Sequence, residues 1–208
     1  MKQILSILVL SVALASAAFS QQLSREFSIA QVTPELVITP EYNFNFGPKN
    51  KKVAKNKEWL EVEVSFDWQP KAKEPRFLDE LTVNYYILLN DNRDPKKNTL
   101  LTGSVTHTAI PQEKGMKSVV YVSPRTLERF FEGKTPTTAA AAIFNVGVTL
   151  TQQGQLVAES SWKGDARSRQ WWTGFQQVSG YVLNKNETPF APLAWDYYEA
   201  IKARPAGL

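Results

Sequence analysis

The chain has 208 residues, no cysteine and one histidine, with 24 basic against 20 acidic residues for a formal charge of +4. Without cysteine there can be no disulfide, lipid-modified cysteine anchor, thiolate metal site or cysteine nucleophile, and a lone His107 rules out an imidazole cluster, so any metal would need oxygen ligands. Folding must therefore rest on apolar burial, which 6 Trp, 7 Tyr and 11 Phe can supply.

Residues 1–20 read as a secretory leader. Lys2 is the basic start, an apolar run covers 4–15, and the small residues Ser16, Ala17 and Ala18 lead to a small-x-small site at Ala18-Phe19-Ser20. The run is too short and wrongly flanked to be a membrane anchor, and nothing later approaches the ~18 apolar residues that a spanning helix needs. The expectation is an exported protein, periplasmic or at the cell surface, working away from nucleotide cofactors. Residues 21–208 would form one domain with a net charge of about +3 once Lys2 is gone.

A first strand is expected over 36–46. It leads into Lys49, Lys51, Lys52, Lys55 and Lys57, a basic run after Gly47-Pro48. Such a run is a solvated loop or a contact for an anionic polymer: lipopolysaccharide, acidic glycan or extracellular DNA. Over 59–68 the alternation is clean, with Leu60, Val62, Val64, Phe66 and Trp68 on one face and Glu61, Glu63, Ser65 and Asp67 on the other. One dry face and one wet face is the pattern of an antiparallel sheet. The same period places Leu81, Val83, Tyr85, Ile87 and Leu89 together, and 90–95 is a dense turn signal. Further strands are expected over 99–110 and 116–123.

Ser123-Pro124 then opens a short helix, with serine as cap and proline at its first position. Leu127, Phe130 and Phe131 form its apolar stripe and Gly133 is its stop. A strand is expected over 139–152, its four alanines packed on something bulky and Ala142, Phe144, Val146, Val148 and Leu150 sharing a face. Gln153-Gly154 turns it into a hairpin with 156–162. One last strand is expected over 172–182 and a terminal helix over 194–202. Seven or eight strands without βαβ alternation give a mostly β protein, an immunoglobulin-like antiparallel β-sandwich with one or two short helices. A closed antiparallel barrel is the alternative.

No catalytic motif emerges, so no enzyme and no cofactor is expected. Asn90, Asp91, Asn92 and Asp94 lack the glycine and closing glutamate of a helical calcium loop. Ser104 and His107 are an odd number of positions apart and fall on opposite strand faces, which leaves His107 as a surface residue. Glu61, Glu63 and Asp67 read as solvent coverage rather than half of a glycosidase pair. The aromatics carry more interest. Trp171 and Trp172 lie beside Arg167 and Arg169, and adjacent strand residues cannot both point into a core. One exposed indole with an arginine against it would suit a glycan; packing of the C-terminal tail, with Trp195, Tyr197 and Tyr198, is the competing reading.

Three passages, Trp59-Leu-Glu-Val-Glu-Val-Ser-Phe-Asp-Trp68, Leu81-Thr-Val-Asn-Tyr-Tyr-Ile-Leu-Leu89 and Asp165-Ala-Arg-Ser-Arg-Gln-Trp-Trp172, give a chain that resembles secreted pilus-like proteins of the Verrucomicrobia, found alongside type IV pilus-associated genes. The resemblance implies an exported immunoglobulin-like sandwich acting in pilus assembly or surface adhesion, with envelope or pilus proteins, or further copies of itself, as partners. It carries no catalytic residue across. A true type IV pilin keeps its long apolar helix after cleavage, whereas Gln21, Gln22, Ser24, Arg25 and Glu26 follow the apolar run here. An accessory subunit held by edge-strand pairing is what the resemblance then implies.

Overall fold

The computed structural model describes residues 23–42, 57–72, 74–91, 98–164 and 170–203. The leader, Lys49, Lys51, Lys52, Lys55, Arg167 and Arg169 lie outside the described residues. Among the described residues nine strands form two sheets: β1 (Phe27–Ile38), β2 (Glu58–Trp68), β3 (Phe77–Leu89), β4 (Leu100–Pro111), β5 (Met116–Val122), β6 (Ile143–Gln152), β7 (Gln155–Ser161), β8 (Gln177–Ser179) and β9 (Val182–Asn184). One sheet runs β1-β2-β5-β9 and the other β7-β6-β3-β4-β8. The two sheets stay separate, which settles the sandwich against the barrel.

Period-two burial builds the core. Leu60, Val62, Val64, Phe66 and Trp68 of β2 face Leu81, Val83, Tyr85, Ile87 and Leu89 of β3 within one buried cluster, as the alternation in each strand requires. The β6–β7 hairpin turns at Gln153 and Gly154 with φ of 48° and 78°, the left-handed pair that suits the twist of a two-residue hairpin. Helix α1 (Pro124–Phe130) starts as expected: Ser123 Oγ accepts the Thr126 amide at 3.2 Å. Its buried Leu127 and Phe130 close one end of the core.

Three expectations before the C-terminal region need correction. The first strand begins at Phe27, well before residue 36. A register shift between Ile29 and Gln31 breaks its alternation, and Pro34 disguises it; proline is tolerated because β1 is an edge. The alanines 139–142 form a single helical turn, α2 (Ala139–Ala142), capped by Thr138 rather than a strand, in keeping with alanine's high helix propensity. Immediately after it, a shift in the β3–β6 pairing between Leu88 and Leu89 sends Ile143 into the core and leaves Phe144 outside, 54% exposed.

The C-terminal region departs furthest from expectation. A 3-10 turn (Trp171–Gly174) is followed by β8, which pairs parallel with Leu100–Thr102 of β4, and then by β9, antiparallel to β5. The chain thus crosses from one sheet to the other along a single side of the sandwich. Gly103 is what lets β9 come so close, since a Cβ there would lie 2.6 Å from that of Val182. No helix forms over 194–202; Ala194 takes a φ of 49°, 195–198 make a turn, and the chain from 199 runs along β5 and β4. Glu199 N donates to Lys117 O of β5 at 3.0 Å, while Thr108 N and Lys202 N bond the tail to β4. These bonds extend the seal that β8 and β9 begin.

Candidate functional site

Lys57, the last of the basic run, stands before β2. Its Nζ is 2.6 Å from Glu128 Oε1, and Arg125 Nη1 is 3.0 Å from the other oxygen. The lysine hydrogen bond, with the two positive charges, holds the Glu128 carboxyl below its ordinary pKa. Lys57 is thereby tied to α1.

Beside this ion pair, Thr39, Pro40, Trp59 and Pro124 wall an apolar pocket of about 390 Å³. Trp59 is held in place: its Nε1 donates to Thr39 Oγ1 at 3.0 Å, and its ring meets Tyr121 and Phe190 edge-on. The pocket lies at the end of β1, the longest edge strand of the molecule. Thr39 N bonds inward to Lys57 O at 2.9 Å, so positions of the same parity, 35 and 37, also turn toward β2. Pro34, Leu36 and Ile38 then direct their backbone groups outward. Proline sits where its missing N–H costs nothing, and no described residue bonds the outward N–H and C=O of Leu36 or Ile38. The Ile38 side chain is 59% exposed.

Trp171 and Trp172 do not lie on a strand, so the alternation argument does not reach them. Trp172 is buried on the outer face of the second sheet, stacked on Tyr86 at 4.7 Å and packed with Leu88 and Leu100. A Cβ at Gly147 would lie 2.2 Å from its ring, so this bare strand position forms its seat. Trp171 stands edge-on to Trp172, and its Nε1 donates to Ser161 Oγ at 2.9 Å. Trp172 is packing, while Trp171 beside it is half-buried. Exposed aromatics are found instead at Trp195 (75%) and Tyr197 (51%).

The outer face of the first sheet is likewise covered, by the tail. Phe190 stacks flat on Tyr121 at 4.5 Å, and Val119, Trp59 and Tyr198 complete the cluster. Glu61 and Glu63 lie on this face as expected, but each has a partner. Tyr198 Oη donates to Glu63, Lys117 pairs with Glu63, and Tyr121 bonds Glu61. Burial, with Glu63 and Glu35 nearby, raises the Glu61 pKa, while the bond to Glu63 raises that of Lys117. Asp67 accepts from the Gly115 amide at 2.8 Å and from Ser28. In the turn signal after β3, Asp91 is buried and accepts from Thr99 Oγ1 at 2.6 Å; Asn92 and Asp94 lie outside the described residues.

His107 is not a surface residue: it is 1% exposed. It crosses the sandwich so that Nε2 is 2.7 Å from Ser118 Oγ, while Nδ1 is 3.1 Å from Glu199 O. Tyr85 Oη donates to the same Ser118 oxygen at 2.7 Å. A carbonyl can only accept, so Nδ1 carries the proton; Ser118 then donates to Nε2 and accepts from Tyr85, and every group is satisfied with a neutral ring. Desolvation lowers its pKa to about 4. Ser104 is exposed on the opposite face, so it does not pair with His107.

The architecture is thus that of an antiparallel sandwich whose last segment binds both sheets. A protein-family model matches residues 18–205, and the chain belongs to that family. Among solved structures it is similar to a protein from Akkermansia muciniphila, with a TM-score of 0.72 and 24% identity over 86% of this chain and 94% of that one. At that identity the likeness is one of fold. No curated protein matches. The verrucomicrobial resemblance is met at the level of family and fold.

Proposed function

We propose that the protein is a non-enzymatic, exported subunit that makes protein–protein contacts in a cell-surface or pilus-like assembly, through the outward edge of β1 and the pocket at its end. The observation that carries this reading is the coincidence of two features at one place. The outward backbone groups of Leu36 and Ile38 have no described partner, and they lie next to an apolar pocket walled by Trp59, Pro40 and Pro124. A strand added at such an edge gains main-chain hydrogen bonds, and a pocket beside it selects a side chain. Pro34 blocks the preceding stretch, which confines the contact to residues 35–38. Export rests on the leader read over 1–20. Among the described residues no helix is long and apolar enough to cross a membrane.

The test is site-specific photo-crosslinking in cells, with the crosslinker at Ile38 and, as control, at Phe144 on the other sheet. Both side chains are exposed, at 59% and 54%. A discrete adduct with an envelope protein or a second copy at Ile38 only is the expected outcome. Equal crosslinking at both positions, or none at either, would overturn the β1 contact.

A further inference from the structure

The tail builds a second concavity that the β1 edge does not use. It encloses about 470 Å³ and is walled by Lys185, Asn186, Trp195, Asp196, Tyr198 and Glu199. That volume is within the roughly 300–1,000 Å³ range of small-ligand sites. Its position is fixed by local structure. Asn184 caps the turn Lys185–Glu187 in a reciprocal capping box, and the left-handed φ of Ala194 brings Trp195 to the rim.

Lys185 forms its floor. The residue is 6% exposed, and its ammonium donates to Ala191 O at 2.8 Å. The nitrogen also lies 5.9 Å from the ring centres of both Trp195 and Tyr198. No carboxylate pairs with it among the described residues, and burial lowers its pKa. A buried ammonium with one carbonyl partner has donors left for a ligand. Asp196 adds acceptors at the same wall, and the Asn186 side chain adds both kinds, while the Glu199 carboxyl accepts from the Lys117 amide. Trp195, 75% exposed, is the remaining wall.

We propose that this pocket binds a neutral saccharide, one sugar ring stacking on Trp195 with its hydroxyls bonded to Asp196, Asn186 and Lys185. Each alternative class meets an obstacle on the walls. An anionic ligand would face the Asp196 carboxylate, a cationic one would face the Lys185 ammonium, and a wholly apolar one would strip water from both charges without replacing it. A neutral polyol presents hydroxyls that both donate and accept. The C–H face of a pyranose carries slight positive charge and suits the negative face of an indole. This site is separate from the β1 contact, and either can hold or fail without the other.

The experiment titrates the purified protein with neutral hexose and N-acetylhexosamine oligosaccharides, read by calorimetry and tryptophan fluorescence. Trp195→Ala, Asp196→Asn and the remote Phe144→Ala are run in parallel. Binding should weaken about tenfold or more in Trp195→Ala, the scale of a lost aromatic contact. It should weaken less in Asp196→Asn and be unchanged in Phe144→Ala, with all melting temperatures close to the parent. Trp195 and Phe144 are exposed, so loss of fold is not a competing explanation for either variant. If no neutral saccharide binds, if only charged ones do, or if Trp195→Ala binds like the parent, the assignment is wrong.

Discussion

At the scale of single residues, His107 is the most consequential side chain in the core. Its unfolded pKa is near 6.5 and its folded pKa about 4, so below pH 6.5 the unfolded chain takes up a proton that the folded one refuses. Stability contributed by the neutral ring is therefore intact above about pH 7 and declines as pH falls through 6.5 toward 4. The total is on the order of 3 kcal/mol at 1.36 kcal/mol per unit. Burial raises the pKa of Glu61 and Glu199, which works in the opposite direction, since the folded state then takes up protons more readily. The His107 share is thus the difference between parent and variant. His107→Gln should cost about 1–3 kcal/mol at pH 7, through groups left without partners, and should flatten the decline between pH 6.5 and 4. Urea denaturation at pH 7 and pH 4.5 reads both. A variant retaining the parent slope would show that another group carries it. That burial was hidden in the sequence: the ring's partners come from 11 and 92 residues away, and alternation alone cannot tell an inward polar residue with partners from an outward one.

At the scale of elements, legibility followed how local the determining physics was. β2 and β3 could be read because one face of each is uniformly apolar, and α1 because its cap and first proline are adjacent in the chain. Ser123→Ala tests that reading: losing the hydroxyl that holds the Thr126 amide should lower stability by about 1 kcal/mol in thermal unfolding. No change would mean that packing of Leu127 and Phe130 alone sets the start of the helix. β1 was half visible, since Pro34 argues against a strand until the strand is known to be an edge. The candidate site at its end was invisible for the same reason: Thr39, Trp59 and Pro124 meet only through sheet order. Trp171 and Trp172 sit on a 3-10 turn rather than the expected strand. The seat for Trp172 is Gly147, on a strand distant in sequence, and nothing near the tryptophans discloses it.

At the scale of the whole molecule, the tail acts as a strap. Phe190 and Tyr198 cover Tyr121, Val119 and Trp59, and the Glu199 carbonyl completes the hydrogen bonding of His107. Burying side chains of that size contributes about 1.5–3 kcal/mol each, and total stability for such a domain is about 5–15 kcal/mol. A chain ending at Asn184 should therefore lose much of its stability and bind a hydrophobic dye that the intact protein ignores. An unchanged urea midpoint would reduce the strap to surface decoration.

The position of that strap in the chain also governs the order of events during biogenesis. Both sheets have one side that stays open until residues 177–202 arrive, and those residues are synthesised after the strands they cover. A chain synthesised only as far as residue 176 lacks β8, β9 and the tail's bonds to Thr106 and Lys117, so that side of its sandwich stays open. For a protein exported as proposed above, the delay is useful: an open, unfinished chain is the form a translocation channel can thread, and closure is deferred to the far side of the membrane.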